Sequence, residues 1–82
     1  MFIVYVLKSL AREIHYVGFT QNLERRLAEH NSGQSTFTAK YMPWEVIYTE
    51  SVATRQGARS REKYLKSAAG KKFVASIREP KK

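Results

Sequence analysis

The chain has 82 residues, room for one domain with one small core, and carries 15 Lys and Arg against 7 acids for a net charge of +8. With no cysteine, disulfide scaffolds, Cys-based zinc sites and thiol nucleophiles are excluded. A hydrophobic fraction of 43% with 12% aromatic residues argues against disorder despite the charge.

Phe2 to Leu7 is an unbroken apolar run rich in β-branched and aromatic residues, the pattern of a strand covered on both faces. It lacks a preceding basic region and is far too short to span a bilayer, so the expectation is a cytoplasmic protein that does not enter a membrane. Lys8 to Glu13 is polar enough to turn the chain, and Ile14 to Phe19 reads as a returning, antiparallel strand. Gly18 within it is expected to serve as a structural turn or to permit close packing.

A helix follows. Asn22 or Thr20 can cap it, Glu24 stands in the first turn where the dipole favours an acid, and Gly33 can end it. At 3.6 residues per turn, Leu23 and Leu27 form the buried stripe, with His30 beside them and Arg26 at its margin, about 60° away. Arg25 projects to water. An arginine at the edge of a core is costly unless it is paired or bound to an anion, which singles out Arg26.

Asn31 to Met42 reads as a polar loop, and Trp44 to Thr49 after Pro43 as a third strand. Thr54 is expected to cap a second helix running to about Ala69 with Gly70 as its stop, its stripe being Ala58, Leu65, Ala68 and Ala69. Arg55, Arg59, Glu62 and Lys66 fall along one ridge of that helix, one acid among three bases. Phe73, Val74 and Ile77 then have helical spacing within a short segment from Lys71 to Glu79. The expected fold is α+β, a three-stranded antiparallel sheet flanked by helices in the order β-β-α-β-α, with a possible short C-terminal helix. Residues 1–79 would form the single domain and residues 80–82 a frayed basic tail.

The charge is uneven. Residues 1–54 hold five bases and five acids, whereas residues 55–82 hold ten bases and two acids. All the excess positive charge lies in the last 28 residues, a distribution suited to a polyanionic partner. The plainer alternative is a basic face that only maintains solubility.

Two histidines without cysteine or aspartate do not make a conventional zinc site, and there is no glycine-rich phosphate loop or nucleophile elbow. Five polar residues remain at strategic places: Tyr5, Tyr16, Arg26, His30 and Glu62. Each has a structural alternative. The tyrosines can be core residues, Arg26 can pair with an acid on a neighbouring element, His30 can cap its helix, and Glu62 can pair with Arg59 or Lys66.

Together these residues resemble the GIY-YIG nucleases over nearly the whole chain. Ile3-Val4-Tyr5 stands where the first motif would be and Tyr16-Val17-Gly18 where the second would be. The segments Asn22 to Gly33, Thr38 to Trp44 and Arg61 to Lys66 are similar to later landmarks of the small stand-alone bacterial members. Ile3 departs from the glycine of the first triplet, and no asparagine follows Glu62.

The resemblance implies a metal-dependent endonuclease that hydrolyses phosphodiester bonds in DNA, directed by structure or backbone, with DNA repair as its setting. Tyr5, Tyr16, Arg26, His30 and Glu62 would be the catalytic residues, with Glu62 holding one divalent metal, Mg2+ by its preference for oxygen. Arg26 offers a planar fork for phosphate oxygens. Tyr5, assisted by Tyr16 or His30, is favoured to activate water, with a nearby metal and arginine expected to lower its pKa. Arg55, Arg59, Lys66, Lys71 and Lys72 would grip the nucleic acid. The expected partner is DNA, with RNA as the other polymer and a protein as a possible source of specificity. The alternative is a nucleic-acid-binding protein that keeps the nuclease fold with little or no turnover.

Overall fold

The computed structural model describes residues 1–34 and 36–78. Its elements run β1 (Phe2–Ser9), β2 (His15–Thr20), α1 (Leu23–Ser32), α2 (Thr36–Ala39), β3 (Trp44–Val52), α3 (Arg55–Lys66) and α4 (Ala68–Arg78). The sheet is antiparallel in the order β2-β1-β3, so β1 is central and one side of β2 is an edge.

Alternation along β1 divides the molecule into two layers. Val4 and Val6 point to one face and pack with Val17, Ala58, Leu65 and Val74, beneath α3 and α4. Tyr5 and Leu7 point to the other and pack with Trp44, Tyr16, Leu23 and Leu27, beneath α1. A short sheet covered on both faces explains the continuous apolar run in β1.

Local capping chemistry acts as the sequence indicates at three ends. The Asn22 side chain accepts from Arg25 N–H at 3.0 Å, and Gly33 terminates α1 with φ of 86°. Thr54 accepts from Gly57 N–H at 3.0 Å at the start of α3.

Four expectations are corrected. The segment expected as a loop after Asn31 continues α1 to Ser32 and contains α2. The third strand extends to Val52, because β1 pairs with it along its full length. The helix expected to end at Gly70 instead breaks at Ser67, whose extended backbone ends α3, and α4 begins at Ala68. Gly70 is therefore inside a helix. It is a packing residue, since a Cβ there would overlap both Leu65 Cα and the Tyr64 carbonyl oxygen. That break also leaves Ala68 and Ala69 exposed, outside the expected stripe. Glu79 and the tail at 80–82 lie outside the described residues.

Gly18 is the fourth. It is a mid-strand residue opposite Tyr5, not a turn. A Cβ at Gly18 would lie 2.8 Å from the Tyr5 hydroxyl and 3.1 Å from Tyr16 Cε2. Its missing side chain is what lets the Tyr5 ring lie across β2, toward the edge of the sheet.

Candidate catalytic site at the sheet edge

Tyr5 is 1% exposed, and its hydroxyl lies 3.1 Å from Nε2 of His30, which is fully buried on the last turn of α1. The other ring nitrogen, Nδ1, is 2.9 Å from the Thr38 hydroxyl on α2. Thr38 is itself held by Trp44, whose indole N–H donates to the Thr38 carbonyl at 2.9 Å. The amide of Asn31 brackets the Trp44 backbone, accepting from its N–H at 2.6 Å and donating to its carbonyl at 3.2 Å. The chain Tyr5–His30–Thr38–Trp44–Asn31 thus locks α1, α2 and β3 behind one phenol.

Tyr16 packs its ring 4.8 Å from the His30 ring and 6.3 Å from that of Tyr5. Arg26 interacts with the hydroxyl of Tyr5 and electrostatically with Tyr16, while its NH1 donates to Glu29 at 2.8 Å. Its side chain is 36% exposed, so the guanidinium joins this polar cluster and still faces solvent. The acid that pairs with it is on its own helix, one turn on, and not on a neighbouring element.

Glu62 comes from the opposite layer. Its charge is felt at the Tyr5 hydroxyl, although α3 packs on the face away from Tyr5. The Glu62 side chain is 23% exposed, and its Oε2 accepts from Lys66 Nζ at 3.0 Å. Three elements, β1, β2 and α1, therefore bring Tyr5, Tyr16, Arg26 and His30 together, while Glu62 of α3 acts on the Tyr5 hydroxyl through its charge.

The electrostatics correct one expectation. Burial pushes the Tyr5 pKa up to about 12, reinforced by Tyr16 and Glu62, and the lowering by Arg26 does not overcome this. Burial and then the Arg26 charge hold the His30 pKa below its usual value, so the imidazole is neutral at pH 7. Its burial excludes the alternative of a charged helix cap. A protonated Tyr5 donates to Nε2, which puts the ring proton on Nδ1, donating to Thr38; this tautomer is assigned from the network.

Of the five proposed grip residues, Arg55, Arg59, Lys66, Lys71 and Lys72 are all exposed. Lys66 is engaged by Glu62. Lys66 and Lys71 line a cleft of about 460 Å³ between β2 and the α3–α4 layer. Arg61, beside Glu62, anchors α3 to β3 through both oxygens of Glu50, at 2.5 and 3.1 Å, and Tyr48 donates to the same carboxylate at 2.6 Å. Sequence reasoning did not assign Thr38, Trp44 or Asn31 a place in the site. Asn31 and Thr38 lie in the polar Asn31–Met42 segment, which carries no helical or strand period, and Trp44 opens the third strand, although all three fall within the landmark segments noted above.

Among the described residues no group of three or more His, Asp or Glu side chains could cage an ion. A lone, partly exposed carboxylate is nevertheless a suitable donor for a hard cation that keeps most of its own waters.

The chain is similar to known proteins over most of its length. The family model for the GIY-YIG catalytic domain matches residues 1–74. A UPF0213 protein of Natronomonas pharaonis is 43% identical over 65 residues, 78% of this chain and 75% of that one. A UPF0213 protein of Syntrophus aciditrophicus is 31% identical over 78 residues, 93% of this chain and 88% of that one. The solution NMR structure of a UPF0213 protein from Bacillus halodurans is similar with a TM-score of 0.55 at 26% identity, covering 94% of this chain and 85% of that one.

Proposed function

Since the chain belongs to the GIY-YIG family, a family of nucleases, we propose that it is a metal-dependent endonuclease hydrolysing phosphodiester bonds in DNA. The observation that supports this reading is the cluster of Tyr5, Tyr16, Arg26 and His30, with the Glu62 charge acting on the Tyr5 hydroxyl.

Hydrolysis forms a bond from water oxygen to phosphorus, breaks a phosphorus–oxygen ester bond, and requires the attacking water to lose a proton while the leaving alkoxide takes one from solvent water. Arg26 binds non-bridging phosphoryl oxygens through N–H groups not engaged by Glu29, where negative charge develops. Tyr5 takes the water proton while its own passes to Nε2 of His30, 3.1 Å away. The Nδ1–H bond to Thr38 steadies the imidazolium that forms. Tyr16, whose hydroxyl bonds no described residue, is left to orient the water or a phosphoryl oxygen.

A phenol with a pKa near 12 does not give up its proton unaided. The Glu62 charge is one cause of that value, so neutralising Glu62 removes it. Glu62 would hold one divalent cation, Mg2+ by the hardness of its donor, with water and substrate phosphate as the other ligands. When bound, that ion would neutralise phosphoryl charge.

The exposed Arg55, Arg59, Lys66, Lys71 and Lys72 supply the grip on the backbone. Phosphate contacts carry no sequence information, so DNA shape or a partner protein sets specificity. The test is incubation with branched, nicked and single-stranded DNA, with and without Mg2+. Cleavage that disappears in Glu62→Ala supports the reading, and equal cleavage by that variant overturns the mechanism.

The high Tyr5 pKa, together with the lack of an asparagine after Glu62, favours one rival. It is a protein that binds nucleic acid with little or no turnover. It predicts salt-sensitive binding without metal-dependent products in the same assay.

A further inference from the structure

At the far end of β2 from its hairpin lies a second cleft, of about 220 Å³, lined by Phe2, Phe19, Thr20, Gln21, Arg25 and Arg55. The two phenylalanine rings meet edge to face, 6.1 Å apart at 76°. The Arg55 guanidinium lies over both, 5.2 Å from the Phe2 centroid and 6.0 Å from that of Phe19. Among the described residues Arg55 has no carboxylate partner. Arg25, on the opposite wall, has only a long contact of 3.8 Å to Glu29, and its side chain is 74% exposed.

A guanidinium held over aromatic rings is fixed through its face, which leaves its N–H groups for an acceptor in its own plane. No acid lines this cleft, and two cations converge on it. The rings also reduce the entropy lost when Arg55 binds, because its side chain is already placed. A surface cation serving only solubility needs no such support.

The cleft is tied to the catalytic site by both helices. Arg25 adjoins Arg26 on α1, and Arg55 precedes Glu62 by seven residues of α3, about 10 Å of helix rise. A stacked strand advances roughly 3.4 Å per nucleotide. We propose that Arg25 and Arg55 form a second phosphate-binding site for the same DNA strand, about three nucleotides from the phosphate that is cut. This inference rests on the nuclease reading and adds to it a direction for the strand, along the β2 edge.

The experiment measures binding of a fluorescein-labelled DNA oligonucleotide to the intact chain across a salt series. Removing one phosphate contact should lower the slope of log affinity against log salt by about 0.9 on duplex, which is about eightfold in affinity at 0.1 M salt. Arg25→Gln alone should lower the slope by about one contact, and Arg25→Gln with Arg55→Gln by about two. Because Arg25 is so exposed, the single variant keeps the test sound even if loss of Arg55 loosens the phenylalanine pair. Wild-type binding with unchanged slopes in both variants overturns the second site and leaves the nuclease reading standing. A wild-type chain that binds no DNA overturns both.

Discussion

Gly18 and Tyr5 face each other across the β1–β2 ladder, and the space that a Gly18 side chain would fill is the space the Tyr5 phenol occupies. A strand residue usually gains from a β-branched or aromatic side chain. Here the strand gives up that gain to pass a hydroxyl to the sheet margin, where both helical layers can reach it.

Gly18→Ala should therefore push Tyr5 away from His30. The Cβ would be 2.8 Å from the hydroxyl and 3.0 Å from Cζ of a buried ring, and overpacking of this kind costs about 1–3 kcal/mol. Denaturant melts should show that loss, and DNA cleavage should fall more than tenfold. Full activity in a variant of normal stability would remove Gly18 from the account.

Tyr5→Phe takes the phenol oxygen from a fully buried imidazole nitrogen. An unsatisfied buried group costs about 1–3 kcal/mol, and loss of a positioned acid–base group slows turnover by about a hundredfold or more. Tyr16→Phe breaks no hydrogen bond to a described residue, so its stability should stay near wild type. Comparing melts and cleavage rates for the pair separates support from chemistry.

Acid should weaken the fold through His30. Its folded pKa lies below the ordinary 6.5 of the unfolded chain, so the unfolded state binds the proton more readily. The His30 contribution is complete above about pH 6.5 and is lost as pH falls through the lower, folded value. Thermal melts from pH 7.5 to 5 should show a decline that His30→Gln lacks. Glu50, whose pKa is lowered by its Arg61 pairing, acts only below its ordinary value of 4.5 and so does not confuse this window.

Glu62→Gln should abolish Mg2+-dependent cleavage while changing stability by less than about 0.5 kcal/mol. Its pair with Lys66 is an i,i+4 contact whose lysine is 55% exposed, and such pairs are worth little. Cleavage by the variant at the wild-type rate would exclude Glu62 as the metal ligand.

Gly70→Ala tests the packing between α3 and α4. The added Cβ would strike the backbone of Tyr64 and Leu65, which cannot swing aside as a side-chain tip can. A loss of about 3 kcal/mol is expected, read by denaturant unfolding. A neutral result would show that the junction can be repacked.

Much of this protein was legible in its sequence because the signals are local. Asn22, Thr54 and Gly33 act on groups within a few residues of themselves, and they cap their helices as their chemistry dictates. The unbroken apolar run of β1 signals a strand covered on both faces, as Val4 and Val6 on one side and Tyr5 and Leu7 on the other are. Helical spacing separates Arg25 in solvent from Arg26 in the site. Gly70 misled for the same reason: a glycine that ends a helix and a glycine that admits a neighbouring backbone look alike from nearest neighbours.

What the amino-acid order determined by itself was the α+β order of elements and the excess charge after residue 54, and it singled out five candidate site residues. Tertiary structure alone decided how those residues act on one another. Desolvation of a phenol depends on every element that covers it, so the Tyr5 pKa near 12 arises from β1, β2, α1 and α3 together. The same is true of the positive charge. Composition predicts an anionic partner, but only packing sets Arg55 over Phe2 and Phe19, opposite an arginine thirty residues away in the chain.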